Sequence, residues 1–301
     1  MTHNPVLLML NLALGRFSQR DGFDEFKHRF KFALRSMLTL PLTLRWLKTF
    51  TQNEDLLAYL HRLPRLASKL HRPYLYQTLA TRGKLKILQQ HYQLECSRFA
   101  PRPLSTLLNG ATLTLATIDG KDQQCYRMTL THQQAFDKEG ELSLCMLDQA
   151  DVALVTLTFS LCNAERGASL IIGGLQGPRR NEDGLGSIKL ATKACHGLFP
   201  KRVAMEALTA LAEQLNIRNI RAVSNRQHIY NSLRYRKEFE SDYDSFWLAL
   251  DATLNQQMLF ELPLQLPRKS PDQLASKKRA EYARRYQMLD QLRQDLALTL
   301  S

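Results

Sequence analysis

Over residues 1–95 the apolar positions recur every three or four residues. Phe23, Phe26, Phe30, Phe32 and Leu34 alternate with Lys27, Arg29, Lys31 and Arg35, the pattern of an amphipathic basic helix. Pro41 reads as its break, and further helices are predicted over 42–50, 53–60 and 77–92, the last with Arg82, Lys84 and Lys86 on one face. Pro64 and Pro73 punctuate the region. After Pro101 and Pro103 the period changes to two. Strands are predicted over 111–118, 126–131, 141–147, 152–161 and 169–173, with turn signals at Asp119-Gly120, Lys138-Glu139-Gly140 and Arg166-Gly167. That is an antiparallel meander. A helix over 185–196 ends at Gly197, and Pro200 opens another over 201–215, with Val203, Ala207, Leu208 and Leu211 on one face. A strand over 219–224, a helix over 227–237 and a hairpin of strands over 246–251 and 258–264 follow. The tail, 270–300, reads as a basic helix bearing Lys277, Lys278, Arg279, Arg284 and Arg285.

A helical crossover between the strands at 169 and 219 makes that pair parallel within an otherwise antiparallel sheet. The expected class is therefore α+β: a basic helical region over 1–103, a mixed-sheet domain over 104–265 and a basic C-terminal helix over 266–301.

Charge adds an uneven distribution. The chain of 301 residues carries +13, of which residues 1–100 hold +10, residues 101–265 hold −1 and residues 266–301 hold +4. Basic ends around a neutral centre fit an anionic partner, a membrane surface or RNA, and equally fit simple solubility. The apolar stretch Pro5–Leu14 is too short to span a bilayer. It lacks the flanks of a signal peptide, so a cytoplasmic protein, or one peripheral to the inner membrane, is expected. Five cysteines at gaps of 29, 20, 17 and 33 residues, with no CxxC, point to neither a disulfide framework nor a zinc site. No Walker loop, Rossmann fingerprint or Gly-x-Ser-x-Gly occurs.

Several blocks resemble a known family. Gly173-Gly174-Leu175-Gln176-Gly177 is followed by Ala191-Thr192-Lys193 and His196-Gly197-Leu198-Phe199-Pro200-Lys201. Ala222-Val223-Ser224-Asn225, His228 and Tyr243-Asp244-Ser245-Phe246-Trp247 come next, with Arg72-Pro73-Tyr74-Leu75 and His91-Tyr92 upstream. Together they resemble the bacterial VirK/YbjX family, which implies a Gram-negative protein linked to virulence and to tolerance of cationic antimicrobial peptides. The element order over 112–265 is similar, more loosely, to the GNAT acyltransferase architecture. That likeness implies a central strand splayed from its neighbour and a following helix whose N-terminal amides hold donor phosphates. The donor implied is acyl-CoA or aminoacyl-tRNA. This chain departs from the GNAT pattern at that turn, where Gly197 stands alone and Pro200 offers no amide.

The residues themselves offer candidates. Gln176, Gly177, Arg179 and Arg180 end a predicted strand and can bind a phosphate, a carboxylate or an acceptor, or can be a solvated loop. Tyr243 and Trp247 are further candidates for the substrate. His228 follows a strand end beside Asn225, so His228, with Asp244 and Asn225, is the candidate catalytic group; a histidine there can equally satisfy a core hydrogen bond. Gly197, Lys201 and Arg202 face the donor phosphates in the GNAT-like reading. With these residues, the GNAT-like resemblance implies an acyl- or aminoacyl-transferase at the cytoplasmic face of the envelope, or alternatively a non-catalytic protein that docks on anionic lipid or RNA.

Overall fold

The computed structural model describes residues 4–17, 25–132, 134–178, 182–231 and 242–301. α1 (Pro5–Leu14) opens with Asn4 accepting the Val6 N–H and closes on Gly15 in the left-handed region. α2 (Phe26–Leu38) and α3 (Leu40–Thr51) follow. Pro41 lies in the first turn of α3 rather than after the end of a helix: it begins an element, because the missing N–H falls where no intrahelical acceptor exists. α4 (Glu54–Arg62) is capped by Asn53, whose side chain accepts the Leu56 N–H. A 3₁₀ stretch (Pro64–His71), α5 (Thr81–Arg98) and α6 (Pro101–Leu108) complete the N-terminal helices.

Among the described residues the sheet has eight strands in the order β1-β2-β3-β4-β5-β6-β8-β7. They are β1 (Leu113–Asp119), β2 (Cys125–Thr131), β3 (Leu142–Leu147), β4 (Ala153–Ala164), β5 (Gly167–Gln176), β6 (Asn219–Val223), β7 (Thr253–Leu254) and β8 (Leu259–Leu262). All neighbours pair antiparallel except β5 and β6, which run parallel. The crossover between those two carries α7 (Glu182–Ala194) and α8 (Pro200–Gln214). α8 is apolar around most of its circumference because it is covered twice, by the sheet and by α10 (Ser276–Leu300). The other face of the sheet receives α5 and the layer formed by α1, α3 and α4, with Cys162 and Ile171 of the strands inside that second core.

Beyond the end of β3, the outer edge of β4 keeps its backbone donors paired through α5. The Leu161 N–H donates to His91 Nδ1 at 3.0 Å and the Asn163 N–H to Gln90 Oε1 at 3.1 Å. Side chains thus take the place of a missing strand.

Three expected elements differ. Residues 246–251 are not a strand: Tyr243–Leu248 is a short helix, α9, capped by Asp242 accepting the Ser245 N–H. A short apolar run fits either period, and the cap decides it. The expected helix over 227–237 begins instead as a tight turn in which Ser224 Oγ accepts the Gln227 N–H, followed by a 3₁₀ turn over Ile229–Asn231. Its remainder, 232–241, lies outside the described residues. The helix expected from 77 begins at Thr81, because 75–78 turn instead: Leu75 has a φ of 62°, the Leu79 N–H donates to the Tyr76 carbonyl, and the Leu75 and Gln77 N–H groups donate to the Lys138 and Gln227 carbonyls.

Candidate functional site

β5 and β6 pair from Ser169 with Asn219 to Ile172 with Ala222. β5 then continues to Gln176 alongside β4, while β6 ends at Val223. The carboxyl ends of parallel strands that part in this way are where open sheets place ligands. α9 enters this divergence. Tyr243 Oη accepts the Leu175 N–H and the Gln176 Nε2–H, each at 3.1 Å, and Trp247 Nε1 donates to the Val223 carbonyl at 2.9 Å. Two aromatic side chains therefore satisfy the ladder groups that the strands no longer give each other, and both are buried.

Beside Tyr243 lies an acid–imidazole pair. Glu139 and His228 are both 0% exposed, with Glu139 Oε1 3.5 Å from His228 Nε2 and accepting from Gln176 Nε2 at 3.0 Å. The Tyr230 N–H approaches His228 Nδ1 at 3.4 Å, which assigns the ring hydrogen of the neutral form to Nε2, facing the carboxylate. The His228 ring meets Tyr243 edge-on, with centroids 5.0 Å apart. Burial, and then the neighbouring Glu139 carboxylate, push the Tyr243 phenol far above its usual value, so it stays protonated. The N-terminal region closes the far side: Gln77 Nε2 donates to the His228 carbonyl and Thr78 Oγ1 to Gln227 Oε1, both at 3.1 Å.

Glu139 reaches the site because Gly173 and Gly174 have no side chains. A Cβ at Gly173 would collide with the Glu139 carbonyl, and one at Gly174 with its carboxylate. The two glycines thus serve a close crossing of the 132–141 connection over β5.

Of the residues singled out from sequence, Gln176, Asn225, His228, Tyr243 and Asp244 meet around the start of α9. Asn225 and Asp244 form a latch there. Asn225 N–H donates to Asp244 Oδ1 at 2.7 Å, Asn225 Oδ1 accepts the Tyr243 N–H at 2.8 Å, and Asn225 Nδ2 donates to Asp242 Oδ1 at 3.1 Å. Their polar atoms hold α9 to the end of β6. Gly177 follows the strand, and Arg179 and Arg180 lie outside the described residues. Gly197, Lys201 and Arg202 stand at the opening of α8. Gly197 packs against Arg285 and Glu281 of α10, and Arg202 pairs with Glu206 at 3.1 Å and donates to the Pro267 carbonyl. Lys201 lies over the Phe246 ring of α9, 6.0 Å from its centroid.

Sequence reasoning missed Glu139, Gln77, Thr78 and Gln227. Glu139 reads as a turn residue in Lys138-Glu139-Gly140, and nothing local distinguishes it. The same connection carries three more buried or half-buried partners. Asp137 forms a two-pronged pair with Arg72. Glu141 takes Lys69 at 2.6 Å and the Tyr92 hydroxyl at 2.6 Å. His132 Nε2 meets Glu95 Oε1 at 2.8 Å, and His91 Nε2 stands 3.4 Å from Glu95 Oε2. Burial pushes the Glu95 carboxyl up, but the His132 and His91 imidazoles outweigh it and hold it at about 2. Burial likewise lowers His132, and Glu95 more than restores it, so His132 ends above its usual value. A cavity of about 70 Å³ opens against Lys69, Arg72, His132 and Glu141. Among the described residues no group of three His, Cys, Asp or Glu has the arrangement to hold a metal ion, and no helix is long and apolar enough to cross a membrane.

The family model described as "Protein of unknown function (DUF535)" matches residues 21–297, and the chain belongs to that family. It is similar to "Uncharacterized protein YbjX" of Escherichia coli (strain K12), 38% identical over 293 residues that cover 96% of this chain and 88% of the relative. A Haemophilus influenzae protein is 29% identical over 169 residues, covering 56% of this chain and 55% of its own. A second match in that organism is 32% identical over 136 residues, covering 45% of each chain.

Proposed function

We propose that the chain is a GNAT-like transferase that moves an acyl or aminoacyl group onto an amine or hydroxyl at the cytoplasmic side of the envelope, with virulence and antimicrobial-peptide tolerance as its setting. The observation that carries the reading is the buried Glu139–His228 pair at the parting ends of β5 and β6. The strand order supports it: a meander leads to one parallel pair whose crossover ends in a helix opening beside the same ends. In this reading His228 Nδ1, released from the Tyr230 N–H when the 228–231 turn moves, accepts the proton of the attacking amine or hydroxyl, and the imidazolium returns it to the donor's departing thiol or tRNA hydroxyl. Glu139 holds the ring and stabilises the imidazolium formed. Gln176 keeps Glu139 in place, and the protonated Tyr243 stands next to it as a hydrogen-bonding group.

The donor side fits less simply. A coenzyme A arm laid between β5 and β6 does not fit beside Tyr243 and Trp247, which fill that space. Pro200 offers no amide, Arg202 is already paired with Glu206 and Lys201 lies over the Phe246 ring, so that turn offers donor phosphates little that is not already engaged. Substrates reach His228 once α9 or the 228–231 turn moves aside. The filled gap favours a second reading, a non-catalytic protein that kept the architecture and closed its donor site.

The deciding experiment incubates the full chain with labelled acyl-CoA or aminoacyl-tRNA and a panel of amine and hydroxyl acceptors. Transfer that is lost in His228→Ala at an unchanged melting temperature, and that shifts its pH profile in Glu139→Gln, supports the transferase. A folded wild-type protein that binds neither donor overturns it in favour of the second reading. Complementation of a deletion strain by wild type but not by His228→Ala would tie the same pair to peptide tolerance.

A further inference from the structure

The face formed by α1 and α2 has the wrong polarity for an ordinary surface. On α2, Phe26, Phe30, Leu34, Met37 and Leu38 follow one another at helical spacing and all point outward, with exposures of 75% for Phe26, 66% for Met37 and 79% for Leu38. The inward side of the same helix contributes Phe32 and Ser36 to the core. α1 packs against α2 and adds exposed Val6, Leu7, Leu10 and Leu14. Contiguous apolar patches of this kind mark an interaction surface.

Its flanks are cationic. α2 carries Lys27, Arg29, Lys31 and Arg35 and no acidic residue. Next to it a cavity of about 240 Å³ is lined by Lys31, Arg35, Arg65 and Arg72, with Ser68 and His71 completing its wall. Arg72 is already matched by Asp137. Burial, with Arg35 and Lys84 nearby, lowers His71 to about 4, so it stands there as a neutral hydrogen-bonding group. Guanidinium groups and a lysine around a concave surface suit a phosphate.

We propose that this face docks on an anionic lipid bilayer, with the α1–α2 apolar side chains in the headgroup–acyl boundary and a lipid phosphate in the basic cavity. An outward apolar stripe bordered by lysine and arginine is the pattern of an interfacial helix. Charge decides against this face meeting itself in a second copy, since residues 1–100 carry +10 and would meet +10. The inference does not rest on the transferase reading, because α1 and α2 contribute no residue to the Glu139–His228 cluster.

The test is co-sedimentation of the full chain with vesicles of phosphatidylglycerol and phosphatidylcholine, against vesicles of phosphatidylcholine alone. Two variants are compared, Phe30→Ser/Met37→Ser and Lys27→Glu/Lys31→Glu, each checked for an unchanged melting temperature. Binding confined to the anionic vesicles, weakened by salt and reduced roughly tenfold or more by each variant, is expected. Inorganic phosphate and a single-stranded RNA serve as competitors. Phosphate alone should compete weakly, because it lacks the acyl boundary. No vesicle binding, binding that either variant leaves unchanged, or binding to RNA with none to vesicles overturns the proposal.

Discussion

The carboxylate of Glu139 occupies the space that a side chain at Gly174 would need. One residue of the β2–β3 connection and one glycine of β5 are therefore a matched pair, although 35 positions separate them in the chain. The acid enters the site because the strand has no Cβ there.

That relationship predicts a coupled pair of mutations. Gly174→Ala forces the carboxylate away from Gln176 and His228, at a cost of about 1–3 kcal/mol for overpacking. In a Glu139→Ala background the same change should cost clearly less, since the colliding group is gone. Urea denaturation of the two single variants and the double variant reads the coupling. Additive losses would show that Gly174 and Glu139 do not compete for the same space.

A second expectation concerns the gap between β5 and β6. Tyr243→Phe removes the acceptor of the Leu175 N–H and leaves a buried donor unsatisfied, for a loss of about 1–3 kcal/mol. Amide exchange at Leu175 should accelerate in the variant more than exchange at Leu170, which lies deeper in β5. Equal acceleration at both amides would mean that the phenol does not serve as a local ladder substitute.

The Glu95–His132 pair predicts a pH dependence with a definite sign. Glu95 is held at about 2 against an ordinary 4.5, so its contribution is complete above 4.5 and lost as pH falls toward 2. His132 is raised above its ordinary 6.5, so its contribution is complete below 6.5 and lost as pH rises through the folded value. The pair therefore stabilises most between 4.5 and 6.5. His132→Gln should cost about 3–5 kcal/mol in that window, because it leaves a buried carboxylate with one partner fewer. The cost should shrink toward both extremes of pH. Urea midpoints across pH for wild type and variant check this, and a cost independent of pH would exclude a charged pair.

Much of the architecture is written in local patterns. The helices of the first hundred residues, the meander and the parallel pair follow from periods of 3.6 and two, and from a helical crossover between the strands at 169 and 219. Periodicity works there because each element buries one face along its whole length. It fails at α9, where six residues with Tyr243 and Trp247 inward satisfy either period until the Asp242 cap is seen. Gln176, Asn225, His228 and Asp244 were legible as a group because Gln176 and Asn225 close adjacent strands, His228 follows the second and Asp244 opens the next element; Arg179, read with them, lies outside the described residues.

The buried titratable groups of the β2–β3 connection, Glu139 of the site among them, were not legible. His132, Asp137, Glu139 and Glu141 lie within ten residues of one connection, and each finds its partner elsewhere: Glu95, Arg72, His228 and Lys69. In sequence that connection has the polar composition of an ordinary turn. A charge becomes a buried partner only when distant segments surround it and supply the opposing charge or hydrogen bond. The chain by itself determined most of its helices and the strands of the meander, because those depend on neighbours a few residues away. Which polar residues would be withdrawn from water, and against which partners, was decided by packing the N-terminal helices onto the sheet.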